Sequence, residues 1–457
     1  MHNFILVAFG KLIVYASRLL NLGHGSTWPG HIALNINKNF IKDILHGNLH
    51  LKIILIAGTN GKTTTGKLIQ TILEKSGKKV FQNESGANLL NGIASSMLLR
   101  SSILCKIYYD FAIFEVDENT LPLALKEFSP YYLILLNLFR DQLDRYGEVN
   151  TIASKWKKAL EKLPAKTQLI LNADDPQITY LGIRKEQFSA GVNTNPPQGC
   201  TLYFGLKDKK IAQTKHQHAA DSTYCPNCGS KLTYSVTYYS HLGDWRCKNC
   251  GYKRSRDVFS TPLTNELTGT YNLYNILAAT LVTKKIGISD EVIKKSLKTF
   301  TPAFGRQEML KVDGKKAQIF LSKNPTSFNE SLRTIASLKA KNVLFVLNDR
   351  IPDGRDVSWI WDVDFEDYID KFKNMIVSGD RAYDTALRIK YATQNSIPDS
   401  IGDKSQNYNS KLKIYQELKD AIDESLKLTN KNEVLYILPT YSAMLEVRKI
   451  LTGKKIL

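Results

Sequence analysis

The chain predicts an α/β fold. A central nucleotide-binding unit is built on a parallel sheet, and a second α/β unit follows toward the C-terminus. Three observations carry this. From residue 51 onward, near-continuous apolar runs alternate with helical patterns, as strands buried on both faces require. The first run, "LKIILIA" (51–57), leads into "GTNGKTTT" (58–65), the strand–glycine turn–helix order of a phosphate-binding loop. A second set of runs begins beyond residue 340, and 457 residues are too many for one ordinary core.

Taken in order, residues 4–20 are apolar but interrupted by Lys11 and Arg18, and no clear cleavage site follows. A span needs roughly 20 apolar residues, so this stretch predicts a packed N-terminal helix, or one that leans on a membrane surface. Strand runs follow at 51–57, 110–116, 131–138 and 167–172, with a short one in "KKVFQ". Polar residues gather after each, where open parallel sheets bind ligands. Composition then shifts over 193–260 to Pro, Gly and paired cysteines, which reads as an insertion. An amphipathic helix resumes at "TGTYNLYNILAATLVTKKIG", a boundary falls near 300–309, and strands recur at 342–347, 374–379 and 433–438. Residues 393–412 read as a polar loop. The predicted domains are an N-terminal helical segment (1–48), a central ATP-binding domain (49–303, with the insertion at about 200–258) and a C-terminal α/β domain (304–457).

With 43% hydrophobic and 23% charged residues the chain is globular rather than disordered. Its 62 Lys and Arg against 43 Asp and Glu leave a net charge of +19. That suits nucleic acid, an anionic membrane face or a phosphorylated substrate. Without an export signal or a spanning segment the expected location is the cytoplasm, at the inner face of the membrane if the N-terminal helix leans there.

In the phosphate loop, Gly58, Thr59, Asn60 and Gly61 would present backbone N–H groups to an anion, and Lys62 would reach the outer phosphates. Thr63 offers a hydroxyl to Mg²⁺, and Thr64 continues the helix start. The common spacing of such loops fails, because Ile56 stands five before Gly61, where it would place glycine. Joining a carboxylate to a triphosphate needs cations at the phosphates and a metal held by a carboxylate. Arg306 and Glu115 are candidates for those tasks.

Cys225-x-x-Cys228, 18 residues, then Cys247-x-x-Cys250 is a zinc-ribbon pattern, each pair followed by a glycine for the knuckle turn. Four thiolates close the coordination shell, so this Zn²⁺ would be structural. Cys105 and Cys200 lack such pairing and read as ordinary residues. "NESGANLLNGI" (83–93) could bind an acceptor's polar head or simply make asparagine turns.

"GTNGKTTT" resembles the ATP loop of the Mur ligase family, whose members join carboxylates to amines through an acyl phosphate. "EVDE" (115–118), "LNADDP" (171–176), "GTYNLYNILAA" (269–279) and "FGRQE" (304–308) resemble further segments of that family. The resemblance implies ATP and Mg²⁺, with Glu115 on the metal, Asn272 at the nucleotide and Arg306 facing the phosphates. It is strongest to the branch that amidates lipid II, on "LNLFRDQLDRYGE" (136–148), the cysteine insertion, "NDRIPDGRDVSWIWDVDFE" (348–366) and "LPTYSAML" (438–445). Gln142 stands where many Mur ligases carry a metal-binding histidine, which leaves the number of metal ions open. That branch implies amidation of the α-carboxylate of D-glutamate on lipid II. The ammonia would come from a GatD-type glutamine amidotransferase subunit, whose Cys–His pair borrows an aspartate from this chain's C-terminal domain. Asp356 and Asp353 are the candidates, with Asp356 ahead. The competing readings are another amino-acid ligase of the same fold, or a zinc-ribbon nucleic-acid-binding ATPase; with the first reading, no nucleic acid is expected to bind.

Overall fold

A computed structural model describes residues 3–19, 27–83, 86–141, 148–182, 201–213, 217–218, 220–261, 267–302, 305–395 and 411–453. The central sheet has six strands: β1 (Lys52–Ala57), β2 (Val80–Gln82), β3 (Phe111–Val116), β4 (Tyr132–Leu135), β5 (Gln168–Asn172) and β6 (Thr201–Phe204). Their spatial order is β2-β3-β1-β4-β5-β6, and every pair is parallel. The chain leaves β1 to build one side of the sheet, then crosses to build the other from β4. The loop after β1 therefore opens at the point where strand order reverses, the natural crevice of such a sheet.

Both faces are covered, which is why the strands read as unbroken apolar runs. One face packs on the N-terminal helices and helix Leu90–Arg100, the other on helices Lys62–Lys75, Thr270–Ile286 and Asp290–Lys298. Helix Asn3–Leu19 buries Leu6, Val7 and Val14 and leaves Ile5, Phe9, Leu12 and Tyr15 exposed. Its Gly10 lies so close to Leu98 that a Cβ would stand 2.7 Å from that side chain. Among the described residues no helix is long and apolar enough to cross a membrane.

Residues 201–204, expected at the start of the cysteine insertion, instead form β6 and pair with β5. The cysteine unit proper is a hairpin, β7 (Leu232–Tyr239) and β8 (Leu242–Cys247), with a knuckle on each side. It is fastened to the sheet: Trp245 Nε1 donates to the Ala173 carbonyl at 3.1 Å, and Tyr238, Tyr239 and Leu242 join the core beneath helix Thr270–Ile286.

The second sheet contains β9 (Arg306–Val312), β10 (Lys315–Phe320), β11 (Asn342–Val346), β12 (Asn374–Ser378), β13 (Leu412–Ile414) and β14 (Val434–Pro439). Its order is β13-β12-β11-β14-β10-β9, parallel except for β9 against β10. The loop expected at 393–412 is shorter at both ends: helix Ala382–Asn395 runs into it and β13 begins at Leu412, with 396–410 outside the described residues.

Candidate active site

A cleft of about 330 Å³ lies where the two sheets meet, and the phosphate loop forms one wall. Gly58 sits at φ +145° and Gly61 at φ +91°. A Cβ on Gly61 would come within 2.1 Å of Asn275 Oδ1, so the turn closes only with glycine there. Helix Lys62–Lys75 starts immediately afterwards with no side chain capping it. Its first N–H groups are thus left for an anion. Thr59 Oγ1 accepts from Phe139 N at 3.0 Å, and Asn60 exchanges hydrogen bonds with Asn137 at 2.9 and 3.1 Å. Lys62 folds over the loop and donates to the carbonyls of Gly58 and Thr59.

In-register pairing of Ile56 with Glu115 brings the end of β3 beside this loop. Thr63 Oγ1 donates to Glu115 Oε2 at 2.6 Å. Asn83 holds that strand end from the other side, exchanging two 2.9 Å bonds with the Glu115 backbone. In the stretch at 83–93, Asn83 holds the strand end, while Asn88 and Leu89 line the cleft. A hydroxyl and a carboxylate side by side at a buried edge are hard oxygen donors, the set Mg²⁺ takes.

Across the cleft, Arg306 lies at the start of β9; burial pulls its guanidinium pKa down and Glu115 opposes that. Asn272, at the start of helix Thr270–Ile286, completes this side, with its Nδ2 bound to the Thr268 carbonyl at 2.7 Å. Thr59 to Thr64, Glu115, Asn272 and Arg306 therefore meet in one cavity, and Gly58 closes the loop behind them. Asp353 and Asp356 are not among its walls.

Several lining groups were not singled out from sequence. Lys323, after β10, is partly exposed and forms an ion pair with the buried Asp141. Burial works against its charge, but the Asp141 and Glu118 carboxylates hold it protonated, with its pKa above the ordinary lysine value. Asn324 caps helix Pro325–Ser337 and meets the Asn60 side chain at 3.2 Å, joining the second sheet's unit to the phosphate loop. The Asn-Pro pair at 324–325 is the usual cap-then-first-turn signal. Tyr239 and Glu330 also line the cleft and carry no local signal; Tyr441 lines it too and lies in the "LPTYSAML" segment, 438–445. Gln142 lies outside the described residues.

The two aspartates after β11 differ sharply. Asp353 is buried and takes both the N–H (2.8 Å) and the hydroxyl of Ser442. Gly354, at φ +86°, turns the chain outward. Asp356 is exposed, and its Oδ1 accepts from Ser358 N at 2.8 Å. The Ser358 side chain and backbone hold its carboxyl below the usual range.

Cys225, Cys228, Cys247 and Cys250 converge, with all four Sγ atoms within 4.8 Å of one another. Two of the pairs stand 3.5 and 3.6 Å apart, near the roughly 3.8 Å edge of a tetrahedron with Zn–S bonds of about 2.3 Å. Gly229 (φ +74°) and Gly251 (φ +75°) make the two knuckles, donating to Cys225 O and Cys247 O at 2.8 and 3.1 Å. The donor set fits zinc.

Comparison with known proteins agrees with this fold. Residues 56–283 match the Mur ligase middle domain, and residues 321–444 match the MurT ligase C-terminal domain. The chain is 33% identical over 410 residues to the MurT subunit of lipid II isoglutaminyl synthase (glutamine-hydrolyzing) from Staphylococcus aureus strain COL, covering 86% of this chain and 88% of that one. It is 31% identical over 459 residues to the MurT subunit from Streptococcus pneumoniae R6, covering 96% and 95%. Among solved structures, a pseudomurein peptide ligase type C from Methanothermus fervidus shares the fold, with a TM-score of 0.61 at 24% identity over 90% of this chain and 81% of that one. The chain belongs to the Mur ligase family and, within it, to the MurT ligases.

Proposed function

We propose that this chain is the synthetase subunit of an ATP-dependent amidation, converting the α-carboxylate of D-glutamate in the lipid II stem peptide to D-isoglutamine. The observation that carries it is the meeting of Lys62, Thr63, Glu115 and Arg306 in one cleft of a MurT-type chain. The substrate and the glutamine requirement follow from the names of the relatives.

In this reading the triphosphate lies along the Gly58–Thr64 loop. Lys62 leaves its carbonyl contacts for the outer phosphates, and Arg306 faces it from β9. Both cations match charge that grows on the transferring phosphoryl group. Thr63 and Glu115 would hold Mg²⁺, which, when bound, neutralises phosphate charge. The substrate carboxylate oxygen forms a bond to the γ-phosphorus as the bond to the ADP oxygen breaks, leaving an acyl phosphate. The nitrogen lone pair of ammonia then attacks the acyl carbon, inorganic phosphate departs with the C–O bond, and nitrogen sheds a proton. Lys323 and the Asn60–Asn324 contact close the cleft and keep water from the acyl phosphate.

Ammonia would come from a GatD-type glutaminase partner. Asp356 is the aspartate offered to its Cys–His pair, because it is exposed and stays ionised, whereas Asp353 is spent on Ser442. Zn²⁺ on the four cysteines would be structural. The exposed apolar stripe of helix Asn3–Leu19 supports peripheral contact with the membrane that carries lipid II.

The test is reconstitution: full chain, partner subunit, lipid II, Mg²⁺-ATP and glutamine or ammonia, with products read by mass spectrometry. Amidated lipid II with either nitrogen source is expected. Turnover that demands a free amino acid and ignores ammonia overturns the reading.

A further inference from the structure

At the amino ends of the central strands, away from the cleft, large apolar side chains stand in water. After helix Leu90–Arg100 the chain makes a tight hairpin over 101–107. Ser101 bridges Ile107, Ser102 N donates to Lys106 O at 2.7 Å, and Cys105 takes φ +60° in the turn. This puts Ile103 and Leu104 at the tip, 59% and 79% exposed. The junction between helix Phe40–His46 and β1 lies beside the hairpin. Asn48 Nδ2 donates to Cys105 O at 2.9 Å, and Lys106 Nζ to Gly47 O at 3.0 Å. Leu49, in that junction, is 87% exposed. Helix Asn3–Leu19 reaches the same end, where Lys11 donates to the Ser101 carbonyl. Its neighbouring Leu12 and Tyr15 are exposed as well.

The tip is fixed, since Ile107 N donates to Asn48 Oδ1 at 2.8 Å. Aliphatic side chains held out from three tied segments add nothing to the core, and such patches mark surfaces that meet another phase or partner. The charge around them says which. Residues 3–52 hold five Lys and Arg against one acid, Asp43, and residues 98–108 add Arg100 and Lys106. The Asp43 carboxylate is occupied by Asn3 and Asn37, at 3.1 and 2.8 Å. Lys11 and Lys106 donate to main-chain carbonyls, which leave their positive charge uncancelled. An apolar tip ringed by lysine matches a layer that is anionic outside and hydrocarbon beneath.

We propose that this end of the molecule is a docking surface for an anionic bilayer. Leu49, Ile103 and Leu104 enter the boundary between headgroups and acyl chains, and Lys11 and Lys106 meet lipid phosphates. Tyr15 and Tyr108, both exposed, settle at headgroup level. This rests on lipid II as substrate for the choice of membrane, and it widens the contact from one helix stripe to three tied segments. The cleft opens at the other ends of strands about 20 Å long. The bilayer and the reacting groups are thus held apart, and the substrate's polar head extends from the lipid to reach them.

The experiment is flotation of the full-length chain with vesicles of phosphatidylcholine, alone or with about one third phosphatidylglycerol. The wild type should bind the anionic vesicles roughly tenfold or more tightly than the neutral ones, and high salt should erase the difference. Ile103→Ser with Leu104→Ser, at an exposed tip, should weaken anionic binding roughly ten- to a hundredfold. Lys106→Gln should weaken it several-fold. Tyr383→Ser, an exposed aromatic on the C-terminal unit, should leave it unchanged. Equal binding to both vesicles, or wild-type binding by the Ile103→Ser, Leu104→Ser chain, overturns the proposal. Self-association that this double variant abolishes, without vesicle binding, assigns the face to a second copy and also overturns it. Tight anionic binding by a wild type that fails to amidate lipid II in detergent would support the surface and overturn the reaction proposed above.

Discussion

Two strand ends in this molecule finish in acids that face opposite ways. After β1 and β3, the polar groups turn inward: Thr63 meets Glu115 at 2.6 Å, and Asn83 pins the strand end that carries it. After β11, one aspartate turns inward and a second turns out. Asp353 is tied to Ser442, and three residues later Asp356 stands exposed with one oxygen on Ser358. A carboxylate held in a cleft must find a cation or donor there. An exposed one can be completed by a neighbouring chain. A carboxylate is thus turned to internal contacts at one sheet and left open to solvent at the other.

The sharpest way to break that division is Lys62→Ala. It should lower amidation on the order of 10³-fold with either glutamine or ammonia, while the partner subunit still co-purifies. Wild-type turnover by this variant would remove the phosphate loop from the reaction. Next comes Asp356→Asn, expected to lower glutamine-driven amidation on the order of 10²-fold and to leave ammonia-driven amidation within about twofold. Equal losses in both assays would make Asp356 structural. Asp353→Asn should do the reverse, weakening the fold by roughly 1–3 kcal/mol through its Ser442 bonds, with both activities falling together. Urea denaturation alongside the two assays tests it. If Asp353→Asn alone uncouples glutamine from amidation, the two aspartates exchange roles.

A smaller effect is expected from Cys247→Ser. Zinc content should fall to background, and the KM for ATP should rise several-fold as Tyr239 loosens, with kcat at saturating ATP nearly kept. Elemental analysis gives the first result and steady-state kinetics the second. Full zinc content would refute the four-thiolate site.

How much of this could be read from sequence follows from how each part is buried. Strands β1, β3, β4 and β5, and likewise β11, β12 and β14, are covered on both faces, so they appear as apolar runs close to their true limits. β9 and β10 escaped because β9 is the edge strand and β10 lies next to it, and their half-exposed positions admit lysine and glutamine. Asp313-Gly314 between them was the hairpin signal available. β6 is four residues long and sits beside the cysteine region, whose composition hides it. In the site, the loop, Glu115, Asn272 and Arg306 carry motifs. Lys323, Glu330 and Tyr239 reach the cleft from distant segments, and no local pattern announces a side chain whose partners lie 100 residues away. Spacing could not separate Asp353 from Asp356; burial does.

The weakest of these effects tests whether Asp356 is held ready. Ser358 keeps its carboxyl below the ordinary carboxylate value of about 3.9. A pKa lowered in the folded state contributes stability that is present above the unfolded value and is lost as pH falls through the folded one. The wild type should therefore hold a small, constant advantage in melting temperature over Asp356→Asn from neutral pH down to about pH 4, shrinking below that. The loop is exposed, so solvent screening keeps the effect small. Paired thermal melts from pH 7 to pH 3 measure it. An advantage that grows on acidification would mean that the aspartate is not pre-ionised by Ser358, and that the outward edge of this sheet depends on its partner to set its charge.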